Sequence, residues 1–189
     1  MSQAKVRAAT AADVAEIARI QRDTWRIAYA EFLGEQALAA LADPETEQQW
    51  AAAVEHPGTA VLVATEGEFT VGFCVAGPAP ADEAASAAGE LPEDADSVGL
   101  IATVLVEPRW GRRGHGGRLL AHAATALREL GAARGITWVA QSDAASLSFY
   151  KRAGWHPDGT VRTLDTGEKT IRELRLTGPL DLQLTPPAS

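Results

Sequence analysis

The sequence predicts an α/β fold in which a mixed β-sheet is flanked by helices. Two β-branched, apolar runs, 60–65 and 69–76, are separated by a tight turn and are typical of a β-hairpin. A strand pattern over 98–106 leads through a Gly- and Arg-rich turn into a helical pattern over 115–131. Another strand pattern, 136–140, follows. A hairpin combined with a strand–helix–strand unit favours a sheet with both antiparallel and parallel neighbours over an all-parallel one.

The segments on either side of this centre are predicted in the same way. Residues 5–8 indicate a first strand, and Thr10 is a candidate N-cap for a helical pattern that continues to Gly34. A second helical region surrounds Pro44 and ends near residues 56–58. Near the C-terminus, 160–164 and 169–176 are typical of a closing hairpin.

Length and composition favour one cytoplasmic globular domain. The 189 residues are assigned to a single domain, 1–189, with a core of about 4–177 and a tail of 178–189. No apolar run approaches the length of a membrane span and nothing resembles a signal peptide, so no membrane partner is expected. A net charge of −8 argues against nucleic-acid binding. The single cysteine, Cys74, excludes an intrachain disulfide, and the four histidines have no metal-ligand spacing, so no metal is expected.

The turn after the central strand predicts an anion site. Glycines at 114, 116 and 117 allow a bulky phosphate to approach the backbone at the start of a helix, where the amides have no intrahelical partner. Four arginines add positive charge to this part of an acidic chain: Arg109, Arg112, Arg113 and Arg118. A P-loop is excluded because Gly117 and Arg118 stand where Lys and Ser or Thr are required. A dinucleotide fingerprint is excluded because Leu119 occupies the last glycine position.

The stretch from Val106 to Gly116, VEPRWGRRGHG, resembles the acyl-CoA turn of the GNAT N-acetyltransferases. The signature of that turn is Gln/Arg-x-x-Gly-x-Gly/Ala after a strand that ends in Val-x-Pro, and Gly111 here occupies the Gln/Arg position. The resemblance implies the GNAT (acyl-CoA N-acyltransferase) fold with a splayed central strand pair, and acetyl-CoA as co-substrate. The cofactor contacts that it implies are Gly111, Arg112, Arg113, Gly114, His115, Gly116 and Gly117, together with the strand amides of Val104, Leu105 and Val106.

The segment 143–155, DAASLSFYKRAGW, resembles the second GNAT hallmark, Asn-x-x-(Ala/Ser)-x-x-(Leu/Phe)-Tyr-x-x-x-Gly-(Phe/Trp). Asp143 replaces the commoner Asn and is suited to cap a helix, whereas Gly154 suits the position after its end. The resemblance implies that Tyr150 is the catalytic general acid and that Ser146 contacts the cofactor. A phenol of ordinary pKa, about 10, is protonated at neutral pH and can return a proton to a thiolate.

The resemblance also implies an N-acetyltransferase that acts on a primary amine of a small molecule or peptide. In many GNAT proteins the first helices form a wall of the acceptor pocket, which makes Trp25, Tyr29 and Glu31 candidate substrate contacts. Many relatives place a glutamate on the central strand as general base, but residues 100–102 here are apolar, so the base is not assigned. The segment 81–96, called the acidic segment below, has six acids and no base; it is typical of a solvated loop, or else borders the acceptor site.

Two other functions stay open at this point. A non-catalytic acyl-CoA sensor or partner module would keep the turn without transferring an acyl group, and the apolar 100–102 and Gly111 leave room for it. A structural protein with an anion site would not distinguish CoA from pyrophosphate. GNAT proteins often dimerise, and the sequence leaves both a homodimer and a monomer open.

Overall fold

A computed structural model describes residues 2–28, 30, 33–40 and 42–182. The strands are β1 Ala4–Ala8, β2 Ala60–Glu66, β3 Phe69–Pro78, β4 Val98–Val106, β5 Arg134–Ala140, β6 His156–Asp165 and β7 Thr170–Pro179. The helices are α1 Val14–Ala28, α2 Glu35–Ala40, α3 Pro44–Glu55, α4 Ala81–Ala84, α5 His115–Glu129 and α6 Ala144–Arg152. Short 3-10 turns cover Ala11–Asp13, Ala95–Ser97 and Pro108–Trp110.

The seven strands form one mixed sheet in the order β1-β2-β3-β4-β5-β7-β6. β4 and β5 are parallel, and the other neighbouring pairs are antiparallel. The predicted mixed α/β sheet is therefore confirmed. The parallel pair lies at the centre of the sheet, where α5 provides the crossover between its two strands.

Two apolar clusters cover opposite faces of this sheet. On one face α5 buries Leu119, Leu120 and Leu127 against strand residues such as Cys74 and Ile101. On the other face α1 buries Ile17 and Ile20 against residues that include Phe73 and Leu105. Because α1 and α5 lie on opposite sides, the alternation of side chains along β4 assigns each residue to one helix or the other.

β4 changes this alternation at one residue. Its register with β3 pairs Thr103 with Val75 but Ile101 with Ala76, so Ala102 is an extra residue, a β-bulge. Ile101 lies before the bulge and Val104 after it, yet both contribute to the α5 side. The bulge therefore keeps the apolar faces of β4 matched to the two helices while locally bending the strand.

Several predicted boundaries differ from the structure. α1 ends at Ala28, short of the predicted Gly34, and residues 29, 31 and 32 lie outside the described residues. The closing hairpin is longer than predicted because β6 and β7 pair over nearly their full length. The predicted tail begins within β7, and its residues 183–189 lie outside the described part of the chain.

Candidate active site

β4 and β5 form a fork. The two strands pair only over Val98–Leu100 and Arg134–Ile136, and beyond these residues they separate. At the branch point the hydroxyl of Thr137 donates a hydrogen bond to the carbonyl oxygen of Ile101 at 2.7 Å. Thr137 is 2% exposed, so a buried side chain replaces a strand hydrogen bond where the strands part. The splayed central pair implied by the resemblance is present.

Two backbone amides of β4 are directed into the fork. The N–H of Glu107 donates to the carbonyl oxygen of Val71 on β3 at 2.9 Å. Since successive amides of a strand point to opposite edges, the N–H of Leu105 also faces β3. The amides of Val104 and Val106 consequently face the gap toward β5. No strand in the described residues pairs with them on that side.

The bulge residue, Ala102, is exposed on one face of the sheet. Ala102 is exposed although it lies in the central strand. Its side chain shares a face with Leu100, opposite the α5 side to which Ile101 belongs. On this face α1 packs against Leu105 and the strands before it, whereas Glu83 and Ala85 of the acidic segment contact β5 and β7. Ala102 is therefore an exposed position of β4 on the face of the sheet that α1 and the acidic segment contact.

The first turn of α5 lies at the far end of β4. Its N-cap, Gly114, has a left-handed φ of 81°, which favours glycine, and offers no side chain to the first amides. The N–H of Arg118 is the first to bond within the helix, at 3.0 Å from the carbonyl oxygen of Gly114. The preceding three amides, His115, Gly116 and Gly117, have no intrahelical acceptor. This first turn also has no acidic residue, so it is suited to bind an anion.

Two arginines contribute unneutralised charge beside this helix start. Arg112 is exposed, has a left-handed φ of 61°, and has no carboxylate within ion-pair distance among the described residues. Arg118 donates from Nη1 to the carbonyl oxygen of Arg113 at 2.9 Å and pairs with no carboxylate in the part of the chain that the structure describes. Both guanidinium groups therefore add to the positive end of the helix dipole.

The other two arginines of the turn are engaged with carboxylates and with Trp110. Arg113 lies 2.8 Å from Glu66 and 5.0 Å from the centre of the Trp110 ring. Arg109 lies 3.1 Å from Glu107 and 5.8 Å from the same ring. These cations fix the shape of the turn around one indole, and carboxylates neutralise their charge.

His115 ties the start of α5 to the end of β2. It is 1% exposed, and its Nε2 lies 2.8 Å from an oxygen of Glu66. This hydrogen bond, with help from the charge of Arg113, holds the pKa of Glu66 below its ordinary value. The imidazole therefore has a structural contact that fixes the direction in which the first amides of α5 point.

α6 contains the second predicted group of site residues. Asp143 caps the helix by accepting from the N–H of Ser146 at 3.1 Å and from its hydroxyl at 2.7 Å. Tyr150 is 5% exposed and packs against Phe149 and Trp155, with ring centres 5.1 Å and 5.6 Å away. It belongs to the apolar cluster that contains residues of both strands of the fork.

The predicted acceptor contacts are only partly described. Trp25 is half-buried at the end of α1 and packs against the apolar cluster on the α1 side. Tyr29 and Glu31 lie outside the described residues. The described part of the chain has no group of three or more His, Cys, Asp or Glu that could hold a metal ion. Within the same part, every helix is too short or too polar to cross a membrane.

A model of the acetyltransferase (GNAT) family matches residues 15–155, from α1 to the residue before β6. The chain belongs to the GNAT acetyltransferase family. The match includes the fork, the turn before α5 and the segment that contains Tyr150. A comparison with curated proteins found no match.

Solved structures share the GNAT fold at low sequence identity. The PaiA N-acetyltransferase from Thermoplasma acidophilum, in complex with coenzyme A, has a TM-score of 0.70 and 13% identity, with 94% of this chain and 99% of that chain covered. A ribosomal-protein-alanine N-acetyltransferase from Brucella melitensis has a TM-score of 0.72 and 22% identity, covering 93% and 99%. YncA from Salmonella typhimurium, with its cofactor acetyl-CoA, has a TM-score of 0.69 and 19% identity, covering 98% and 99%.

Sequence reasoning missed a polar cluster on this GNAT sheet, beside the fork. Trp138 on β5 donates from Nε1 to Glu83, and the guanidinium of Arg162 stacks 4.2 Å from the Trp138 ring. Arg162 also contacts both Glu83 and Glu173, at 3.1 Å and 2.7 Å. The exposed acids of the acidic segment fit a solvated loop, but Glu83 is held against the sheet. The acidic segment contains no Lys or Arg, and this composition is the signal in the sequence that its carboxylates would pair with cations from other elements.

Proposed function

We propose that this protein transfers the acetyl group of acetyl-CoA to a primary amine of a small molecule or peptide. The observation that carries the proposal is the fork, where the amides of Val104 and Val106 are not paired with any described strand and β4 leads to the helix start of α5. A thioester carbonyl needs donors at its oxygen, and the pyrophosphate of CoA needs a cationic cradle. The end of β4 has amide donors for the carbonyl, and the turn and helix start that follow have amides and arginines for the pyrophosphate.

The strand amides support a role in binding the acyl carbonyl and the pantetheine arm. Val104 and Val106 have N–H groups that face the fork, and the N–H of Leu105 faces β3. Pre-aimed amides of this kind are worth about 3 kcal/mol to a transition state that develops an oxyanion. In this proposal the N–H of Leu105 does not contact acetyl-CoA, and Leu105 serves to place the amides of Val104 and Val106 on either side of it.

The turn supports a role in binding the pyrophosphate of CoA. The three first amides of α5 carry the proposal, and Arg112 and Arg118 add charge. Because Arg113 is paired with Glu66, we assign it to holding the conformation of the turn and not to binding the pyrophosphate. The neighbours from T. acidophilum and S. typhimurium contain coenzyme A and acetyl-CoA, which supports the same ligand for this chain.

Direct attack in a ternary complex fits this site better than a covalent acyl-enzyme. Cys74 is fully buried on the α5 side of the sheet, and burial raises the pKa of its thiol to about 12. A thiol of that kind is neither ionised at neutral pH nor accessible to a thioester. The amine then attacks the acetyl carbon itself, and Tyr150 donates a proton to the departing thiolate of CoA.

The proposal is tested by calorimetric titration with acetyl-CoA, CoA and ATP, followed by a thiol-release screen over amines. We expect both CoA species to bind more tightly than ATP, and one class of amine to release thiol. Tyr150→Phe keeps the packed ring and should lower kcat by about 100-fold without changing the Kd of acetyl-CoA. Failure of both CoA species to bind would overturn the proposal.

A matched pair of arginine variants tests the turn. Arg112→Gln should weaken CoA binding by about fivefold, because a charge-assisted contact of about 1 kcal/mol is lost. Arg128→Gln makes the same charge change at the other end of α5 and should leave the Kd unchanged. Equal losses in the two variants would indicate a general charge effect and not a cofactor contact.

The sensor function is the second candidate, favoured by the absence of a carboxylate from positions 100–102 of β4. It predicts CoA binding with no thiol release over any amine, and no effect of Tyr150→Phe. Turnover with one amine class would exclude it. A carboxylate from another element that acts as the general base would remove the reason to favour the sensor function.

A further inference from the structure

We propose that Glu83 of the acidic segment is the general base that takes the proton from the acceptor amine, an inference that depends on the proposed acetyl transfer. Glu83 lies on α4, between β3 and β4, and is remote in sequence from both GNAT motifs. Nothing about its local sequence distinguishes it from its neighbour Asp82. Its position relative to the fork carries the inference.

Glu83 is held on β5 at the level of the exposed Ala102. Leu100 is paired with Ile136, and parallel strands advance by the same length per residue, so Ala102 is level with Trp138. Trp138 and Ala102 also share the face opposite α5. Because the indole N–H of Trp138 donates to Glu83, the carboxylate is attached to β5, the strand that faces the bulge across the fork.

The cluster around Glu83 fixes its carboxylate and leaves part of it accessible. Arg162 approaches both carboxylate oxygens from one side, at 3.2 Å and 3.1 Å. Arg175, itself 7% exposed, donates to the backbone carbonyl oxygens of Glu83 and Ala85 at 2.9 Å and 2.7 Å. The Glu83 side chain remains 24% exposed, and a carboxylate has about four acceptor sites, so one remains for an ammonium group.

Other carboxylates near the fork are less suited to this role. Glu107 has a side chain only 9% exposed, between Arg19 at 2.9 Å and Arg109 at 3.1 Å. Glu173 faces the same side of the sheet but is paired with Ala140, two residues beyond Trp138 and farther from the bulge. Of these three carboxylates, Glu83 is the one that accepts from Trp138, the residue level with the bulge.

Proton transfer from the acceptor to Glu83 comes before attack on the thioester. The acceptor arrives as an ammonium ion and transfers one proton to Glu83. The nitrogen lone pair then attacks the acetyl carbon, forming the C–N bond, and the C–S bond breaks as the tetrahedral intermediate collapses. Tyr150 protonates the CoA sulfur and recovers a proton from the nitrogen, while Glu83 releases its proton to solvent. The products are the amide, CoA thiol and one proton.

The test compares kcat of Glu83→Gln with that of wild type across pH, on the amine that the wild type acetylates. Glutamine keeps an oxygen that can accept from Trp138, so the packing should be preserved. We expect kcat to fall by about 100-fold at neutral pH, with the Kd of acetyl-CoA unchanged. The deficit should shrink as pH rises, because a growing fraction of the amine is already neutral.

Two control variants separate catalysis from structure. Asp94→Asn removes the contact that holds the other end of the acidic segment to Arg134 at 2.6 Å, and should keep wild-type kcat. Glu173→Gln changes the second carboxylate on Arg162 and should cost less than Glu83→Gln. An equal loss in Asp94→Asn, a larger loss in Glu173→Gln, or loss of acetyl-CoA binding in Glu83→Gln would overturn the inference.

The inference and the proposed function fail in different ways. Wild-type turnover with a fully active Glu83→Gln would overturn the inference alone and leave acetyl transfer in place. Acetyl-CoA binding with no turnover by the wild type on any amine would overturn both. Turnover that is lost in Glu83→Gln and restored at high pH supports both.

Discussion

Alanine in place of Gly178 or Gly135 should destabilise the fold, because both glycines lie beneath the ring of Trp155. The two glycines are partners across β5 and β7. A Cβ on Gly178 would lie 2.2 Å from Cδ1 of Trp155, and a Cβ on Gly135 would lie 2.3 Å from its Cη2. The ring is 1% exposed, and its Nε1 donates to the carbonyl oxygen of Pro179 at 3.0 Å, so it has little freedom to move away.

The expected magnitude combines two opposing effects. Forcing an extra methyl group into a packed core costs about 1–3 kcal/mol, and contacts this short favour the upper end. Replacing glycine in a strand interior recovers about 0.5–1 kcal/mol of backbone entropy. Each variant should therefore lose about 2 kcal/mol of unfolding free energy, which lowers Tm by about 4–8 °C in a domain of this size.

A second substitution makes the prediction specific to the ring geometry. Trp155→Phe removes the outer edge of the indole, where Cη2 lies, but keeps ring atoms near the position of Cδ1. In that background Gly135→Ala should cost much less than in wild type, whereas Gly178→Ala should keep nearly its full cost. Urea denaturation of the six proteins gives the two coupling energies. Equal rescue of both alanine variants, or rescue of neither, would refute this account of the packing.

Three further predictions concern the turn, the fork and acid stability. Arg112→Gly should raise the unfolding free energy by about 1 kcal/mol in urea denaturation, because a non-glycine residue at φ 61° is strained; an unchanged or lower stability would contradict this. Thr137→Val keeps the volume but leaves the buried carbonyl of Ile101 without its donor, so it should cost about 1–3 kcal/mol in the same assay. Arg7 donates to Asp13 and holds the pKa of that carboxyl below its ordinary value. The stability that this pair contributes is present above the unfolded pKa of about 3.9 and is lost as pH falls through the lower folded pKa. Asp13→Asn should therefore be less stable than wild type at neutral pH and lose less stability on acidification, as measured by unfolding at a series of pH values.

Much of the fold could be predicted because its signals are local. β4 has the predicted bounds of 98–106, since an apolar β-branched run ends at a proline. Asp143 caps α6 as predicted, and Gly154 has a φ of 85° at the end of that helix. In each case the residues that determine the structure are within a few positions of the structure itself. The bulge at Ala102 has no such signal, because it depends on the register with β3.

The electrostatics of the candidate site could not be predicted in the same way. Four arginines in one turn predict one cationic surface, but Arg113 is neutralised by Glu66, 47 positions away. Glu83 meets Arg162 at a separation of 79 residues and Arg175 at 92. A hydrophobic period specifies which face of a strand is buried, and it does not specify which charged side chains meet on the other face.

This difference bears on how the general base should be sought. The backbone donors for a thioester come from the strand and helix geometry, so a motif is sufficient to predict them. A base needs only a carboxylate at the right place on the open face, and any loop that crosses this face can supply it. Here the bulge leaves Ala102 exposed on that face, and the arginines of β6 and β7 fix the position of Glu83 in the acidic segment. An apolar central strand therefore does not by itself imply an inactive enzyme, because Glu83 can supply from α4 the charge that β4 lacks.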